Sequence, residues 1–409
     1  MAVSGSPLLS VEEARARMLA GVVPVGAESV ALAEAEGRVL AEDLTATRTQ
    51  PPFPASAMDG YALRAADIAA VPARLRVIGT APAGRAFEGR LGAGEALRIF
   101  TGAPVPEGAD TVLIQENAEV AADGTILALD ATPRGRNVRP VGLDFQAGER
   151  LIDAGTRLDW RAVSLAAAMN HPVLQVRRRP RVAVLATGDE LVRPGETPGP
   201  DQIVASNNFG VAAMVSALGG EPVDLGIAPD DEAAIGARIA AALETRADVL
   251  VTLGGASVGD LDLVGRTLGD AGMELAFWKI AMRPGKPLMA GRLGPMRVLG
   301  LPGNPVSSLV CAILFLKPLL RALLGVAPLL DPEVDAVAAV DLAANDHRQD
   351  YLRAEIESRD ESGLPRVRPF PVQDSSMLTR LARADCLVLR APNAPPLPAG
   401  GRCRIIPLS

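Results

Sequence analysis

The residues best suited to chemistry lie in four polar, glycine-rich segments between residues 187 and 307. The segments are TGDE (187–190), GGASVGDLD (254–262), RPGK (283–286) and LPGNPVS (301–307). They offer the carboxylates of Asp189, Glu190, Asp260 and Asp262 and, with the preceding Lys279, the cations of Arg283 and Lys286. Carboxylates beside cations suit a phosphate-containing substrate that is bridged by Mg²⁺. The backbone amides where Asn304-Pro305 begins a predicted helix suit an anion as well.

Residue counts exclude several other chemistries. The two histidines, His171 and His347, are far apart, and the three cysteines form no C-x-x-C pair. Neither a zinc site nor a disulfide framework is therefore expected. Lysine is rare, since only three of the 41 basic residues are Lys. Two of these three lie in the stretch WKIAMRPGKP, which indicates a local need for a compact positive charge.

Charge and hydropathy bear on partners and location. The net charge of −7 and the aromatic content of 3% argue against a nucleic acid or an anionic membrane as partner. The first residues lack a basic stretch followed by an apolar core, and the longest apolar run, at 309–320, is interrupted by Lys317 and Pro318. We therefore expect a cytoplasmic protein with no membrane span.

Strands and helices alternate from residue 177 to 326, which predicts parallel β-α-β units in a three-layer α/β domain. Strands are predicted at 182–187, 221–228 and 247–255, followed by short strands within 276–302. Helices are predicted after Ser206, Asp230, Asp262 and Asn304. The four polar segments directly follow predicted strands, so we expect them to converge where ligands bind in such sheets. On local evidence alone, a helix cap is the favoured interpretation of both Asp230 and Asp262.

The flanking regions have different patterns. Helices are predicted at 10–21, 29–41 and 159–169, and short apolar runs between turn signals predict a small β domain at 46–144. Residues 1–45 and 145–176 are assigned to one helical N-terminal domain that holds this β insertion. From residue 327 to 409, short strands again predict a β domain.

Taken together, these segments resemble the MoeA family of molybdopterin molybdenumtransferases, which is related to the gephyrin E domain. The resemblance is carried, in order along most of the chain, by SAMDGYA (56–62), RIFTGAPVPEGADTV (98–112), NVRPVGLD (137–144), VLATGDELVRPG (184–195), GGASVGDLD (254–262), FWKIAMRPGKP (277–287) and LPGNPVSS (301–308). It implies an elongated helical N-terminal domain with a β insertion, an α/β domain and a C-terminal β barrel.

The resemblance also implies an activity and its residues. Molybdate would be inserted into adenylylated molybdopterin with release of AMP, assisted by Mg²⁺ or a similar divalent ion. It implies a homodimer whose active site joins the α/β domain of one subunit to the β domain of the other. A molybdopterin adenylyltransferase and molybdoenzyme-maturation proteins would be partners. The implied catalytic residues are Asp59, Asp144, Glu190, Asp230 and Asp262, and the implied metal ligands are Glu190, Asp260 and Asp262. The implied substrate-binding residues are Thr101, Arg139, Ser257, Lys279, Arg283, Lys286, Pro302, Pro305, Ser307, Arg353, Ser375 and Ser376.

Three positions depart from the family pattern. Arg283 stands where many relatives have Lys, Leu143 where an acidic residue is common, and Asp260 where Glu often occurs. Arginine at 283 keeps the positive charge but changes the shape of the charged group, and aspartate at 260 gives a proposed metal ligand a shorter side chain.

Other functions stay open at this stage. A molybdopterin adenylyltransferase or a competence-damage-type protein would share the α/β domain, but each would lack parts of the flanking pattern. A dimeric scaffold or a carrier of the finished cofactor could share the whole fold without the chemistry.

Overall fold

The computed structural model describes residues 8–255 and 263–408, which form two compact units. The first unit contains the residues up to Glu28, residues 37–41 and the chain from Val176 onward. The second unit contains Ser29–Glu36 and Glu42–Gln175. The α-helices are Val11–Leu19 (α1), Trp160–Ala168 (α2), Asn207–Ala217 (α3), Glu232–Glu244 (α4), Leu263–Asp270 (α5), Pro305–Cys311 (α6), Lys317–Leu324 (α7) and Leu378–Arg383 (α8).

The second unit is built around a six-stranded sheet, as the predicted β domain requires. Its strands are Gly60–Leu63 (β1), Ala73–Ala81 (β2), Glu95–Ile99 (β3), Thr111–Ile114 (β4), Ala118–Val120 (β5) and Thr125–Ala128 (β6), in the order β4-β1-β3-β2-β6-β5. The first residue of β1 must be a glycine, because a Cβ at Gly60 would lie 2.0 Å from the carbonyl oxygen of Leu113 on the neighbouring strand. The Asp59-Gly60 pair therefore marks a close approach of two backbones.

The α/β part of the first unit has a six-stranded mixed sheet. Its strands are Arg181–Thr187 (β7), Glu221–Ala228 (β8), Val249–Leu253 (β9), Glu274–Trp278 (β10), Met289–Leu293 (β11) and Met296–Leu301 (β12), in the order β8-β7-β9-β12-β11-β10. The four strands β8, β7, β9 and β12 are parallel, as predicted, whereas β11 and β10 continue the sheet in antiparallel pairing. Val184 of β7 faces Val251 of β9, which in turn faces Leu299 of β12.

Helices cover both faces of this sheet, so the predicted three layers are present. On one face Val184 and Val251 pack with buried residues of α1, α3, α6 and α7. On the other face Ala183 and Leu185 pack with buried residues of α4 and α5. Alternate residues of one strand thus enter two separate cores, which is why the buried strands read as continuous apolar runs.

One long apolar helix lies in the first of these cores. Residues 305–324 are long and apolar enough to cross a membrane, but 72% of the most apolar window is buried inside the protein. This is the expected setting for the core helix of a soluble protein. Its middle turn, Ala312–Leu316, has π-helical geometry. Pro318 lies two residues beyond this turn, and because it cannot donate a backbone hydrogen bond, the helix widens where that bond would fall.

The C-terminal region forms a closed five-stranded barrel. Its strands are Val334–Ala338 (β13), Gln349–Arg359 (β14), Pro365–Pro369 (β15), Cys386–Arg390 (β16) and Arg402–Pro407 (β17). Pairing runs β14-β15-β13-β17-β16 and returns from β16 to β14, which closes the ring. The short strand Met282–Arg283 pairs with the start of β14. This pairing attaches the RPGK segment to the barrel.

Two predictions about helices are wrong. Residues 29–41 form no helix, because Ala27–Ala31 is a strand, Leu32–Glu34 is a 3₁₀ turn, and Gly37 has a φ of +72°. Helix propensity is a weak prior that tertiary pairing overrides. Helix α4 is capped by Asp231, whose Oδ1 accepts a 2.8 Å hydrogen bond from the Ala234 amide, and not by Asp230.

Candidate active site

A cleft of about 640 Å³ opens beyond the carboxyl ends of the parallel strands. Segments that follow β7, β9 and β12 line it, together with Pro287 directly after RPGK. Residues of three of the four predicted segments thus meet at the expected edge of the sheet, whereas RPGK itself does not line the cleft. The residues lining it include Thr187, Gly188, Glu190, Asn207, Asn208, Asp230, Gly254, Gly255, Pro302, Asn304, Pro305, Ser307 and Ser376.

Two glycines after β9 keep the wall of this cleft open. Gly254 and Gly255 have φ angles of +99° and +65°. A Cβ at Gly254 would lie 2.8 Å from the Thr187 carbonyl oxygen, and one at Gly255 would lie 2.3 Å from a methyl carbon of Val264. Both the backbone conformation and the lack of space therefore require glycine.

The cleft holds two of the predicted carboxylates. Glu190 and Asp230 are both exposed to solvent there. The Glu190 carboxylate folds back over Gly188 and lies so close to it that a Cβ at Gly188 would be 2.3 Å from Glu190 Oε2. The Asp230 amide donates a 3.2 Å hydrogen bond to Asp189 Oδ1, which joins the ends of β7 and β8. Since Asp231 caps α4, the Asp230 side chain is left to face the cleft.

The predicted metal site is only partly visible. Asp260, Asp262 and Ser257 lie outside the described residues. Within residues 8–255 and 263–408, no three His, Cys, Asp or Glu side chains are grouped closely enough to hold a metal ion. Of the predicted metal ligands, Glu190 alone belongs to the described part of the chain; Asp230, predicted as a catalytic residue, lines the cleft with it, and both offer carboxylate oxygens. Such donors suit Mg²⁺, which commonly takes one or two carboxylates and completes its shell with water and substrate phosphates.

The two predicted lysines lie on one loop. The Lys279 amide donates to the Leu288 carbonyl at 2.9 Å, and the Ile280 amide donates to the Lys286 carbonyl at 3.0 Å. These bonds close a turn that carries Lys279 and Lys286 near its two ends. The Lys279 ammonium lies 3.9 Å from the centre of the Trp278 ring, where a cation–π interaction orients it. Lys286 is exposed at the loop surface.

Arg283, from the same segment, faces the barrel. Its guanidinium donates to both carboxylate oxygens of Asp350, at 2.9 and 2.7 Å, and to Asn345 Oδ1 at 3.2 Å. These acceptors belong to β14 and to the loop before it. The adjacent carboxylate of Asp350 raises the pKa of Arg283. Arg283 lines a second groove, of about 470 Å³, and is not among the residues that line the first cleft.

Arg353 is the most buried of the predicted binding residues. It is 1% exposed, lines the second groove and donates a 3.0 Å hydrogen bond to the carbonyl of Asp374. Burial lowers its pKa. The side chain of Asp374 accepts a 2.6 Å bond from Ser376 Oγ, and Ser376 lines the first cleft. The stretch 374–376 thus reaches from Arg353 to the α/β cleft.

The loop Pro302–Pro305 is held from two sides. Asn207 Nδ2 donates to the Gly303 carbonyl at 2.7 Å, and Asn304 Nδ2 donates to Ser375 Oγ at 2.9 Å. Pro302, Pro305 and Ser307 all line the cleft, as predicted for this segment. The loop is therefore positioned by α3 and by a barrel loop.

The predicted residues of the β domain lie in the second unit. Asp59 Oδ1 accepts hydrogen bonds from the Thr101 amide and hydroxyl, both at 2.8 Å. These bonds lower the pKa of Asp59 because they favour its charged form. Arg139 and Asp144 are exposed, the former on a short strand that pairs with Ala55–Ser56.

Sequence reasoning missed Asn207 and Asn208 as residues of the cleft. They follow Ser206, which was interpreted as a helix cap, although its side chain makes no capping hydrogen bond. The signal was a pair of amide side chains in the loop-to-helix segment after the exposed strand Ile203–Val204, which itself lines the cleft. Amides in such a place are as consistent with ligand binding as with capping.

Comparison with known proteins first defines the class. Residues 183–322, which contain the sheet and the cleft, match a family model described as a probable molybdopterin binding domain. Residues 9–170 match the MoeA N-terminal region (domain I and II), and residues 335–408 match the MoeA C-terminal region (domain IV). The α/β domain therefore belongs to the molybdopterin-binding class.

Relatives that match along the chain then identify the family. A molybdopterin molybdenumtransferase of Haemophilus influenzae is 35% identical over 93% of this chain and 94% of its own length. Another from Nostoc sp. is 39% identical over 80% of this chain and 76% of its own. A crystal structure of a molybdopterin biosynthesis MoeA protein from Pyrococcus horikosii superposes with a TM-score of 0.85 at 31% identity, covering 98% of this chain and all of that one. The chain belongs to the MoeA family, which confirms the resemblance found in its motifs.

Proposed function

We propose that this chain is a molybdopterin molybdenumtransferase, which inserts molybdate into adenylylated molybdopterin and releases AMP. The observation that carries the proposal is the cleft of about 640 Å³ at the carboxyl ends of β7, β9 and β12. The carboxylates Glu190 and Asp230 and the start of the core helix line it, as does Pro287, which directly follows Lys286 of the lysine loop. The chain is related over most of its length to proteins named for this activity. In the reaction two Mo–O bonds of molybdate are replaced by bonds to the two dithiolene sulfurs, and the displaced oxygens leave as water with the thiol protons and protons from solvent. One water adds across the phosphoanhydride bond, so that AMP leaves and the pterin keeps its own phosphate.

The residues of the cleft supply charge and positioning. We assign oxyanion binding to Lys279 and Lys286, since molybdate and phosphate are anions that bind best to charged hydrogen-bond donors. Glu190 and Asp230 would hold Mg²⁺, with Asp260 and Asp262 as further predicted ligands. The ion would neutralise charge on the phosphates while the anhydride bond breaks. Pro302, Pro305 and Ser307, with Ser257 from the glycine-rich segment, would shape the pocket around the substrate.

The barrel residues form the second part of the proposed site. Ser375 would offer a hydroxyl donor to an oxyanion, Ser376 would do so once its hydroxyl turns away from Asp374, and Arg353 would supply a buried positive charge beside them. The bonds of Arg353 and Ser376 to Asp374 support this grouping. Arg283 would act through the Asp350 contact that attaches its loop to the barrel. In this role it positions Lys279 and Lys286.

We also propose that the active protein is a homodimer in the cytoplasm. In it Asp59, Thr101, Arg139 and Asp144 of one subunit would complete the cleft of the other. The division into residues 1–45 with 145–176, 46–144, 177–326 and 327–409 is retained as the proposed domain plan. A molybdopterin adenylyltransferase would supply the substrate, and molybdoenzyme-maturation proteins would take the product.

A mixed-subunit experiment tests the shared site. Asp59→Asn and Glu190→Gln homodimers are each expected to lose most activity. A heterodimer of the two contains one cleft with both residues intact, so it is expected to regain about half the activity per protein. Failure of the mixture to regain any activity, with subunit exchange verified by two affinity tags, would contradict the shared site.

AMP release is the decisive measurement for the activity. Purified protein is mixed with adenylylated molybdopterin and Mg²⁺, with and without micromolar molybdate, and AMP is quantified. Molybdate-dependent release is the expected result. Tight binding of the substrate without AMP release under any divalent metal would instead indicate a carrier or a scaffold.

Variants of the lysine loop test the residue assignment. Lys286→Ala is expected to reduce the AMP-release rate at least tenfold, and Lys286→Arg to retain part of it, because charge is kept while its shape changes. Arg292→Ala is the matched control, since its ion pair with Glu274 is exposed on β11 and β10. Normal turnover by Lys286→Ala would remove this role.

A further inference from the structure

Two buried polar side chains in the cleft each have an oxygen atom without a hydrogen-bond partner among residues 8–255 and 263–408. They are Thr187, at the end of β7, and Asn208, in the first turn of α3, which are 4% and 7% exposed. The atoms left without a partner are Thr187 Oγ1 and Asn208 Oδ1. Both residues line the cleft. Because buried polar atoms are nearly always paired, this pair indicates a partner that enters the cleft from outside.

Two glycines lie close to the Thr187 hydroxyl. A Cβ at Gly254 would lie 3.2 Å from Thr187 Oγ1, and a Cβ at Gly255 would lie 3.3 Å from it. Any side chain at these two positions would crowd the hydroxyl. Valine at 187 and leucine at 208 would fill nearly the same volumes without a polar atom. Packing alone therefore does not account for the two polar residues.

The chemistry of the two atoms defines what can bind them. The carbonyl oxygen of Asn208 only accepts hydrogen bonds, and the Thr187 hydroxyl can both accept and donate. A phosphate or molybdate anion offers acceptor oxygens only, so it cannot satisfy Asn208 Oδ1. The complementary group is uncharged and carries N–H donors beside a ring acceptor, as an amino-substituted heterocycle does.

We propose that Thr187 and Asn208 are substrate-binding residues that hold the amino-substituted edge of a heterocyclic ring. The inference rests on the proposed function, because the substrate then carries two such rings, an adenine and a pterin. The ring amine would donate to Asn208 Oδ1 and Thr187 Oγ1, while the Thr187 hydroxyl donates to a ring nitrogen. Thr187 and Asn208 would thus bind the ring, while Lys279 and Lys286 of the lysine loop would bind the oxyanions.

Matched pairs of small molecules test this assignment on the full-length protein. AMP is compared with inosine monophosphate, and 6-hydroxymethylpterin with 6-hydroxymethyllumazine, by titration calorimetry. Each second compound has a carbonyl oxygen in place of the ring amine. Wild type is expected to bind the amino compound about tenfold more tightly in one of the two pairs, since a buried acceptor facing a carbonyl is left unpaired. The pair that shows this preference identifies the ring.

Shape-retaining variants assign the preference to the two residues. Thr187→Val and Asn208→Leu are each expected to reduce the preference at least threefold. Thr252→Val is the control, because the Thr252 hydroxyl is also buried and has no partner in the described part of the chain, but Thr252 does not line the cleft. This control is expected to keep the full preference.

Thermal unfolding without ligand tests whether Thr187 has a purely structural role. Thr187→Val and Thr252→Val are expected to match or exceed the wild-type Tm, because each removes a buried hydroxyl without a partner. A fall of several degrees for Thr187→Val alone would show an internal partner for this hydroxyl and overturn the inference. The inference would also be overturned if wild type showed no preference for the amino compound in either pair, or if that preference survived in both Thr187→Val and Asn208→Leu.

The outcomes separate this inference from the proposed activity. If wild type shows the amine preference and both variants lose it, but no molybdate-dependent AMP release occurs, the ring site stands and the transferase assignment fails. If release is normal and no amine preference is found, only the ring site fails.

Discussion

Asn304 Nδ2 donates a 2.9 Å hydrogen bond to Ser375 Oγ, which joins the start of the core helix to a loop of the C-terminal barrel. The Ser375 carbonyl also accepts a 3.0 Å bond from the Val306 amide, in the first turn of that helix. Ser375 of the barrel thus accepts hydrogen bonds both from the Asn304 side chain and from the Val306 N–H, a first-turn donor that needs a partner outside its helix. As a consequence the neighbouring Ser376 enters the α/β cleft.

Breaking this junction should cost stability at both ends. We expect Asn304→Ala and Ser375→Ala each to lower the free energy of unfolding by about 1 kcal/mol, the usual value of a partly exposed neutral hydrogen bond. In a double-mutant cycle measured by urea unfolding, a coupling of about 0.5–1 kcal/mol is expected. Ser216→Ala is the control, since its hydroxyl donates to a carbonyl within α3 on the surface. Additive effects of the two variants would contradict the junction.

The ion pair of Arg283 with Asp350 should stabilise the attachment of the lysine loop to the barrel. The Asp350 side chain is 9% exposed and the Arg283 side chain 47%. Removing the guanidinium leaves a buried carboxylate unpaired, so we expect Arg283→Ala to lower the free energy of unfolding by about 2 kcal/mol, after allowance for the half-exposed arginine. Chemical denaturation provides the measurement.

Two further variants make this test specific. Arg283→Ala combined with Asp350→Asn should be less destabilising than Arg283→Ala alone, because the second change removes the unpaired charge. Arg368→Ala should be clearly less destabilising than Arg283→Ala, since its pair with Glu357 is exposed. Equal losses for Arg283→Ala and Arg368→Ala would show that burial of Asp350 has no energetic effect.

Local sequence signals predicted individual elements well. Ser10 accepts a hydrogen bond from the Glu13 amide, and Asp159 accepts from the amides of Arg161 and Ala162, so both helices begin where their caps predict. The strand Glu221–Ala228 has the predicted bounds. At the two helix starts the deciding contacts are made within a few residues of sequence, whereas the strand was predictable from its apolar run although it pairs with Arg181–Thr187.

Tertiary contacts decided the features that the sequence did not predict. Residues 29–41 have good helix formers, yet a strand and a 3₁₀ turn take their place. The bond between Asn304 and Ser375 spans 71 positions, and no local pattern signals it. The convergence of polar segments was predictable because parallel strands end at one edge of a sheet. Which side chains enter the cleft was not, as Asn208 shows.

The two hydrogen bonds from Thr101 should make Asp59 respond to pH. They hold the pKa of Asp59 below its ordinary value. A lowered folded-state pKa stabilises the protein above the unfolded-state pKa of about 3.9, and this contribution is lost as the pH falls through the folded-state pKa. The stability difference between wild type and Asp59→Asn should therefore be constant from pH 5 to 8 and shrink below about pH 4.

The same pair can be tested by carboxyl NMR titration. Thr101→Val removes the hydroxyl donor and keeps the amide, so the pKa of Asp59 should rise toward its ordinary value without reaching it. Asp123, whose carboxylate accepts from Thr125 in the same unit, is an internal reference that should not move. An unchanged Asp59 pKa in Thr101→Val would show that the hydroxyl bond is absent in solution.

The three cysteines should be inert in the native protein and should weaken it at alkaline pH. Cys311, Cys386 and Cys403 are all buried, and burial raises the pKa of Cys386 to about 12 and that of Cys403 to about 11. A thiol reagent at pH 8 should label none of them rapidly before denaturation and all three afterwards.

The raised cysteine pKa values should also make stability depend on alkaline pH. A raised folded-state pKa stabilises the protein fully below the unfolded-state pKa near 9. That contribution is lost between about pH 9 and the folded-state value, so the stability difference between wild type and Cys403→Ala should decrease over about pH 9–11, as measured by urea unfolding. A difference that stays constant over this range, or rapid labelling of the native protein, would contradict the burial of Cys403.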